Sequence, residues 1–552
     1  MDEISLENVL RRCGDFGRFQ LIHFSLLCLL NFSSGMAGFY YVFALAEPYF
    51  RCRLPSDVWP NDNQYSSSNS THQQLIDTLL MTSSSCKYTN GSSCQEFVFD
   101  RSVYGKTFTE EAKFVCENAI RKTWISTVYE LGTFTVLITG PISDRVGRRK
   151  MLQILSLGMY IVTAITQVLL QFVNMSVNLK IGLLMVNQIV SGIDPYGIVF
   201  LLLMELTSSS HTSFAGGVSM VAYTIGEVMF TGFAYAARNW LNLKWFMSIY
   251  FAVTVPYLFF IPESPYWLFI RKKYDQLEVC LRKIAKTNRR EESEWHPMYV
   301  QLVEQSRLEK ATEKKKPKKK ISRIIRLVPR LFMCGCIEFV TMLLYTTISY
   351  DLGQKSEAIS PYTNFIIGAG VEGLGYLAAG LCIITFLGRK YSLIMFVLLT
   401  AGAVLTIPFV TGTYPVVATV ISQVGKFGVS AAVSVSWLFV PELFPTYMRG
   451  LANAIFVFVG SFGSMLAPII DTAVGDEYQR ITNYVYAGLA VVLACVIATL
   501  PETRNRSFQD GAEHDEEDDD GEEEEGGNTN KAIDKPKDNV VFQNEGTVDV
   551  KS

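Results

Sequence analysis

Apolar residues along the chain collect in twelve runs of about 20 residues, the length of helix that crosses the hydrocarbon of a bilayer. Because a segment surrounded by lipid must satisfy its backbone hydrogen bonds internally, each run predicts one transmembrane α-helix. The sequence therefore predicts an all-α membrane protein. The predicted spans are Leu21–Ala46, Trp124–Ile142, Leu152–Phe172, Ile181–Met204, Ala215–Ala237, Trp245–Ile261, Val328–Tyr350, Tyr362–Leu387, Ser392–Phe409, Val416–Val440, Ala452–Ala473 and Thr482–Leu500.

The pattern of turns repeats after the sixth span, which predicts two six-helix halves. Gly140–Lys150 follows span two, and Gly380–Lys390 follows span eight at the equivalent place. Pro262–Phe269 and Pro501–Phe508 likewise follow spans six and twelve. Internal repeats of this kind are common in transporters. The second turn lacks the Asp-Arg pair of the first, so the repeat is imperfect.

Polar segments and charge divide the chain further. Cationic residues concentrate in the turn Arg145–Lys150 and in the other turns on the same side of the membrane. The turns on the opposite side hold fewer, such as Lys244. The positive-inside rule therefore places both termini in the cytoplasm. The predicted regions are a cytoplasmic N-terminus (1–20), a first half (21–261) that contains a large extracellular loop (47–122), a cytoplasmic loop domain (262–327), a second half (328–500) and an acidic, disordered cytoplasmic tail (501–552).

The large loop has the features of an extracellular segment. It carries two glycosylation sequons, at Asn69 and Asn90, in a stretch rich in Ser, Asn and Thr. It also holds four cysteines, which allow three different disulfide pairings, and the sequence leaves the pairing open. These candidates are Cys52, Cys86, Cys94 and Cys116.

Composition argues against several function classes. The net charge of −3 is small because base in the inner turns offsets acid in the tail. No nucleotide-binding loop, metal-ligand spacing or nucleophile–base arrangement stands out, so an enzyme is disfavoured. We expect no cofactor, metal or nucleic-acid partner. The expected partners are the lipid bilayer and a small-molecule substrate, and cytosolic partners of the tail stay open.

The turn Gly140–Lys150 (GPISDRVGRRK) predicts a moving part. Its two glycines permit close approach of helices and loop. Its charges cannot remain in hydrocarbon, so they lie at the membrane surface. We expect them to join a network that latches the cytoplasmic ends of the two halves, with static helix capping as the alternative. The latch candidates are Asp144, Arg145, Arg148, Glu205, Glu442 and Arg449.

This turn resembles the signature loop of major facilitator transporters, and further motifs narrow the resemblance. Gly17–Gln20 (GRFQ), Cys52–Pro55 (CRLP), Pro262–Phe269 (PESPYWLF) and Glu442–Arg449 (ELFPTYMR) are similar to elements of the organic cation, anion and carnitine transporter family. The resemblance runs from residue 10 to about residue 508 and implies the major facilitator fold. The chain departs from the family pattern at Tyr266, where the family usually has Arg.

Ionisable residues within spans are costly, so each is a candidate for function. The candidates are Glu130, Glu227, Glu338, Glu372 and Lys426. Glu372 matches by position a cavity acid of the family, and the glycines around it permit a helix break. Glu130 and Glu227 are expected to form interhelical bonds instead, and for Glu338 both roles stay open. Lys426 matches a lysine of carnitine-type members, and could pair with an acid or hold a substrate carboxylate.

Aromatic residues complete the predicted substrate site, because ring faces attract ammonium groups. The resemblance assigns Tyr345 and Tyr196 to cavity positions, and Trp437 is a further candidate. Ser461 stands where cation transporters of the family have Asp and where anion and carnitine members have Arg. The chain therefore lacks the charge that separates these classes.

Together these features predict a plasma-membrane transporter of small organic ions that works by alternating access through a central cavity. Organic cations are the first expectation, because acids outnumber bases within the spans. A carnitine-like zwitterion is the alternative within transport. A receptor or sensor that keeps the fold without transporting is the alternative from another class.

Overall fold

The computed structural model describes residues 4–80, 86–207, 211–312, 320–354, 359–411, 413–444, 446–474 and 478–503. Helices dominate this part of the chain. They are α1 Leu6–Arg12, α2 Arg18–Ala44, α3 Ser70–Leu79, α4 Phe108–Ala112, α5 Ile120–Thr133, α6 Val136–Val146, α7 Arg148–Phe172, α8 Val177–Gly192, α9 Tyr196–Glu205, α10 Thr212–Ala237, α11 Trp240–Leu258, α12 Pro265–Ile270, α13 Tyr274–Thr287, α14 Glu292–Thr312, α15 Lys320–Gln354, α16 Pro361–Ile384, α17 Gly388–Val410, α18 Pro415–Glu442, α19 Thr446–Val474 and α20 Gln479–Thr499.

The twelve predicted spans correspond to these helices, so the all-α prediction is confirmed. Ten helical segments of the described chain are long and apolar enough to cross a membrane, counting α8 and α9 together as one. The interrupted pair α5–α6 and the 19-residue α11 complete the twelve. Span four breaks before Pro195, whose ring lacks the N–H that a continuous helix requires.

Each half has its own apolar core, and aromatic rings join the halves at one end. We call the end that carries residues 47–119 the outer end, and the end that carries Gly140–Lys150 the inner end. At the outer end, the ring of Phe43 in α2 stacks on Tyr362 of α16 with centroids 5.1 Å apart. Phe365 lies edge-on to Phe43 at 5.4 Å. Tyr104 of the outer loop and Tyr235 of α10 also contact Tyr362.

The outer loop is a folded unit held by two disulfides. Strand β1 (Phe50–Cys52) pairs antiparallel with β2 (Phe97–Phe99). The structure pairs Cys52 with Cys94 and Cys86 with Cys116, which selects one of the three possible connectivities. Glycosylation stays a prediction.

Polar contacts fasten this loop to the outer ends of the spans. Glu111 accepts from the Lys180 ammonium at 2.5 Å and from the Trp240 indole at 3.2 Å. The Thr109 hydroxyl donates to the carbonyl of Leu45 at 2.8 Å. The loop is therefore attached to spans one, four and six.

At the inner end, the segment after span six forms the helices α12 to α14, and α1 packs on α14. Asn288 joins the N-terminal segment to this inner domain. Its side-chain amide donates to the carbonyls of Cys13 and Gly14 at 3.1 Å, and its Oδ1 accepts from the N–H of Phe19 at 2.8 Å. The acidic tail lies outside the described residues, apart from residues 501–503.

A buried ion pair in the outer loop generates a first prediction. Arg51 and Asp62 meet at 2.5 Å, with 4% and 0% of their side chains exposed. Burial opposes ionisation of Asp62, but the hydrogen bonds of Arg51 and of the Leu54 N–H lower its pKa below the ordinary value. Its contribution to stability is thus full above the ordinary pKa of about 4 and is lost only as the pH falls through the lower folded value.

We expect Asp62→Asn to destabilise the loop by about 3 kcal/mol, because it leaves the Arg51 guanidinium buried without a counter-ion. Hydrogen exchange of the Leu54 amide should rise roughly a hundredfold at neutral pH. The exposed Asp57→Asn is the matched control, with no expected change. Equal exchange rates for Asp62→Asn and the parent protein would contradict the stabilising role of this pair.

Candidate functional site

The inner turn after span two has a backbone conformation that only glycine adopts without strain. Gly147 has φ = +113°, and a Cβ there would lie 2.5 Å from the carboxylate of Glu263. That carboxylate accepts from the N–H of Arg149 at 3.1 Å and so caps the first turn of α7. Gly140, in contrast, has open space around it, so the predicted close approach at Gly140 is wrong.

The charges of this turn form a network within the first half. Arg148 donates to Asp144 at 2.6 Å and to both oxygens of Glu205 at 3.1 and 3.2 Å. The Arg148 side chain is 9% exposed and Glu205 is 16% exposed, whereas Asp144 is 56% exposed. Trp267 and Arg271 of the inner domain donate to the Asp144 carbonyl. This network ties spans two, three and four to α12.

The second half repeats the arrangement with different residues. Gly388 has φ = +67° and abuts the carboxylate of Glu502. Glu502 accepts from the N–H groups of Arg389 and Lys390, both at 3.0 Å, and caps α17 as Glu263 caps α7. The Arg389 guanidinium lies 2.6 Å from Glu442. The second half lacks the Asp-Arg pair of the first. It nevertheless keeps the carboxylate cap and the arginine–glutamate pair.

Each of these ion pairs joins elements of the same half. Arg145 is exposed, and the side chain of Arg449 lies outside the described residues. Among the described side chains, no ion pair joins the inner ends of the two halves in this conformation. The role of these residues as a latch between the halves stays a prediction.

A buried polar cluster lies around Glu372 in α16. The carboxylate Oε1 accepts from the hydroxyls of Tyr345 at 2.8 Å and Tyr376 at 2.6 Å. Oε2 lies 2.6 Å from the Lys426 ammonium, which forms an ion pair by distance although its angle is not that of a hydrogen bond. Lys426 also donates to the Ser349 hydroxyl at 2.5 Å. Three of the predicted substrate residues thus meet in one cluster.

The Lys426 ammonium also lies over an aromatic ring. Its nitrogen is 3.7 Å from the ring centroid of Tyr345, well within the range of cation–π attraction. Glu372 is fully buried and Lys426 is 3% exposed. The cluster thus provides a carboxylate and a ring face that together hold an ammonium group away from water.

Glycines next to Glu372 bring neighbouring helices close to it. A Cβ on Gly373 would lie 3.1 Å from the Thr224 hydroxyl of α10, and one on Gly375 would lie 2.8 Å from the Phe427 carbonyl of α18. The helix α16 is continuous from Pro361 to Ile384, so these glycines do not break it. They serve helix packing, as small residues do in membrane proteins.

Tyr196 and Trp437 meet where the halves face each other, with ring centroids 5.9 Å apart. The Trp437 indole donates to Glu338 at 3.0 Å, and the hydroxyls of Ser436 and Thr341 also contact this carboxylate. Glu338 is therefore satisfied internally and orients Trp437.

Ser461 lies at a different contact between the halves. It accepts from the Thr133 hydroxyl of span two at 2.6 Å, and Thr133 also contacts Glu130 at 3.2 Å. The described bond of Glu130 is thus within its own helix, not between helices as predicted. The contacts of Ser461 join spans two and eleven and do not include Glu372 or Lys426.

Sequence reasoning missed several polar residues within the spans. Asp194, at the break in span four, accepts from the Ser34 hydroxyl at 2.5 Å and from the Tyr196 N–H at 2.7 Å. The sequence signal for Asp194 is an acid directly before a proline inside an apolar run. Lys244, predicted in an outer turn, is 1% exposed, contacts Asn187, and lies 4.6 Å from the centroid of the Tyr40 ring.

Glu227 of α10 also differs from its prediction. It is 1% exposed, and no described residue hydrogen-bonds its Oε1, so the predicted interhelical bond is not formed there. It interacts electrostatically with both Glu372 and Lys426. Glu227 therefore belongs to the same buried cluster as Glu372 and Lys426. We call it the central cluster, and it has two carboxylates and one ammonium.

The family described as sugar (and other) transporter matches residues 62–513. The chain belongs to this family, whose members are multi-pass membrane transporters.

Similar proteins confirm the resemblance read from the motifs. The organic cation transporter protein of Drosophila melanogaster is 24% identical, over 92% of this chain and 94% of that protein. The human organic cation/carnitine transporter 2 is 26% identical, over 89% of this chain and 90% of that protein.

Solved structures show the same fold. The xylose transporter XylE of E. coli, in a partially occluded inward-open conformation, matches with a TM-score of 0.57 at 16% identity, over 88% of this chain and 99% of that chain. XylE bound to 6-bromo-6-deoxy-D-glucose matches with a TM-score of 0.59 at 17% identity, over 89% and 98%. The major facilitator fold predicted from the sequence is confirmed.

The network at the inner turn generates a second prediction. Asp144→Asn removes one exposed partner of Arg148 and leaves Glu205 in place, so the cost in stability is small, about 1 kcal/mol or less. If the turn governs movement, the uptake rate per molecule at the cell surface changes while the ranking of substrates does not. Asp275→Asn, an exposed acid of the inner domain, is the control. A changed substrate ranking with an unchanged rate would contradict the latch.

Proposed function

We propose that this protein transports small organic ions across the plasma membrane by alternating access, with organic cations as the main substrates. The observation that carries the proposal is the central cluster. There, the ammonium of Lys426 already occupies a position between the Glu372 carboxylate and the Tyr345 ring. A carboxylate and a ring face are the two groups that attract organic cations most strongly.

The balance of charge at the centre supports a cationic substrate. Glu372 and Glu227 together carry two negative charges when ionised, and Lys426 supplies one positive charge. A cluster with one carboxylate in excess favours a positively charged ligand. The names of the two relatives, an organic cation transporter and an organic cation/carnitine transporter, agree with this class.

The distribution of contacts supports alternating access. The described ion pairs at the inner end stay within one half, so each half can move as a unit without losing them. Contacts between the halves include aromatic pairs: Phe43 with Tyr362 at the outer end, and Tyr196 with Trp437 near the centre. Such contacts can separate without leaving a buried charge unpaired.

The chemistry of the outer loop supports the proposed orientation in the membrane. The disulfide-bonded outer loop belongs on the extracellular side, because disulfides persist in oxidising compartments. The two sequons, at Asn69 and Asn90, are exposed on the same loop. The proposed orientation has both termini in the cytoplasm, as the sequence predicts.

A zwitterion related to carnitine is a second candidate, and the pair Lys426–Glu372 specifically favours it. A substrate with both an ammonium and a carboxylate could replace this pair group for group. Its ammonium would contact Glu372 and Tyr345, and its carboxylate would contact Lys426. No charge would then be left buried without a partner.

We expect Glu372→Gln to lower the uptake of organic cations at least tenfold, with a normal amount of protein at the cell surface. Without Glu372, the ammonium of Lys426 loses its counter-ion and repels a second cation in the same cluster. The measurement is initial uptake of labelled substrate, divided by surface protein. Tyr376→Phe is the milder comparison, because it removes one hydrogen bond and no charge. Unchanged uptake kinetics for Glu372→Gln would contradict the role of Glu372 as the counter-ion of Lys426.

An uptake panel of cations, zwitterions and anions separates the two substrate classes, run with and without sodium and a membrane potential. If the substrate is a zwitterion, Lys426→Gln abolishes its uptake, because the carboxylate loses its only described cation in the cluster. If the substrate is a cation, Lys426→Gln preserves its uptake. Saturable binding without flux of any compound would instead support a sensor with the same fold.

A further inference from the structure

In the central cluster, one oxygen of Glu372 and one oxygen of Glu227 accept no hydrogen bond from the described residues. The Glu372 oxygen has an ion pair with Lys426, whereas the Glu227 oxygen has no described ion pair. Glu227 lies in α10, and 1% of the residue is exposed. Its backbone carbonyl accepts from the Thr231 hydroxyl at 2.8 Å, as within an ordinary helix. Its side-chain Oε1 is buried and accepts no hydrogen bond from the described residues. This oxygen therefore has no hydrogen bond to lose when a ligand reaches the cluster.

Groups from the surrounding helices define what Glu227 faces. The charged groups that act on it are Glu372 of α16 and Lys426 of α18. The phenols that interact with it are Tyr345 of α15, Tyr376 of α16 and Tyr223 of α10 itself.

The other helices packed on α10 are α2, α9 and α11, and no described charge on them acts on Glu227. On the α2 side, Gly35 lies against the backbone carbonyl of Tyr223. The Lys244 ammonium of α11 is directed at Asn187 and the Tyr40 ring. Among the charged groups described here, only Lys426 could neutralise Glu227.

Lys426 is already committed to Glu372, which has no oxygen left for a substrate. Two phenols donate to its Oε1, and the ammonium of Lys426 faces its Oε2. A substrate with a single positive charge could reach Glu372 only by displacing Lys426. That displacement would leave a buried ammonium without a counter-ion, which is costly. Glu227 offers a carboxylate without this cost.

An ionised carboxylate that is buried without a partner is also costly, so Glu227 needs a positive charge in either state of the site. When a substrate is absent, a proton can supply it. When an organic cation is present, its positive group can do so instead. The two cannot be bound at Glu227 together, because the protonated carboxyl has no charge left to pair.

We propose that Glu227, rather than Glu372, receives the cationic group of the substrate, and that this group replaces a proton held by Glu227 in the empty site. The proposal rests on the proposed transport of organic cations and specifies the residue and the exchange. On binding, the O–H bond of Glu227 breaks and the proton leaves to water on the side where the cavity is open. The cation then pairs with the carboxylate. On release, a proton returns to the same oxygen, so one charge enters for each charge that leaves.

The exchange gives a measurable coupling. In sealed vesicles at zero membrane potential, an acidic lumen should drive accumulation of an organic cation, up to about tenfold for a pH difference of one unit. Tetraethylammonium is the probe, because a quaternary ammonium ion carries no proton of its own. L-carnitine is run in parallel as the zwitterion. A pH-sensitive dye in the lumen reports the proton that leaves.

Two variants of Glu227 test the residue. Glu227→Gln cannot release a proton, so we expect loss of the pH-driven accumulation and of the dye signal. Glu227→Asp keeps a carboxyl group and should keep both. The melting temperature of each purified variant shows whether it is folded, and the dye signal of the unmodified protein tests the exchange even if Glu227→Gln does not fold.

The outcomes separate the two proposals. Uptake of neither probe by the unmodified protein overturns the proposed function. Uptake without proton release, or accumulation that ignores the pH gradient, overturns the exchange and leaves the proposed function standing. Uptake by folded Glu227→Gln that still follows the pH gradient overturns the role of Glu227.

Discussion

A charge that leaves water must find a partner inside the protein, and this constraint explains the ion pairs of the helical bundle. Arg148 finds Glu205, Arg389 finds Glu442, Lys426 finds Glu372, and the carboxylate of Glu338 accepts from three neighbouring side chains. The pairs at the inner end hold the helices of each half together. The pair at the centre sets the charge of the proposed substrate site. These charged groups each have a partner, whereas one oxygen of the Glu227 carboxylate has none among the described residues. That difference is the basis for the role proposed for Glu227.

The two halves satisfy this constraint in the same way despite their different sequences. In both, a carboxylate that follows the last span caps the third helix, and an arginine at that cap pairs with the glutamate that ends the fourth span. The geometry of the turn needs a glycine with positive φ in each half, at Gly147 and Gly388. The Asp-Arg pair is dispensable for this arrangement, which accounts for its absence from the second half.

The sequence predicts the spans, the halves and the outer loop because these depend on run length and periodicity. Partners are harder to predict, since they depend on which helices adjoin. Gly140 and the glycines around Glu372 look alike in the sequence, yet Gly140 faces open space, whereas Gly373 and Gly375 bring α10 and α18 close. Lys244 resembles a loop cation, because its burial depends on Asn187 and Tyr40, which lie far away in sequence. Glu227 and Glu130 likewise look alike in the sequence. The carboxylate of Glu130 accepts a hydrogen bond from Thr133, whereas the Oε1 of Glu227 accepts none from the described residues.

The positions of the capping carboxylates along the chain also bear on the order in which the two halves fold during synthesis. Glu263 and Glu502 each follow the sixth helix of their half, so the group that closes a half is the last part of it to leave the ribosome. The first half can therefore complete its inner contacts before the second half is synthesised. Truncation before either carboxylate removes the closing contact, and the third helix of that half then begins without its cap.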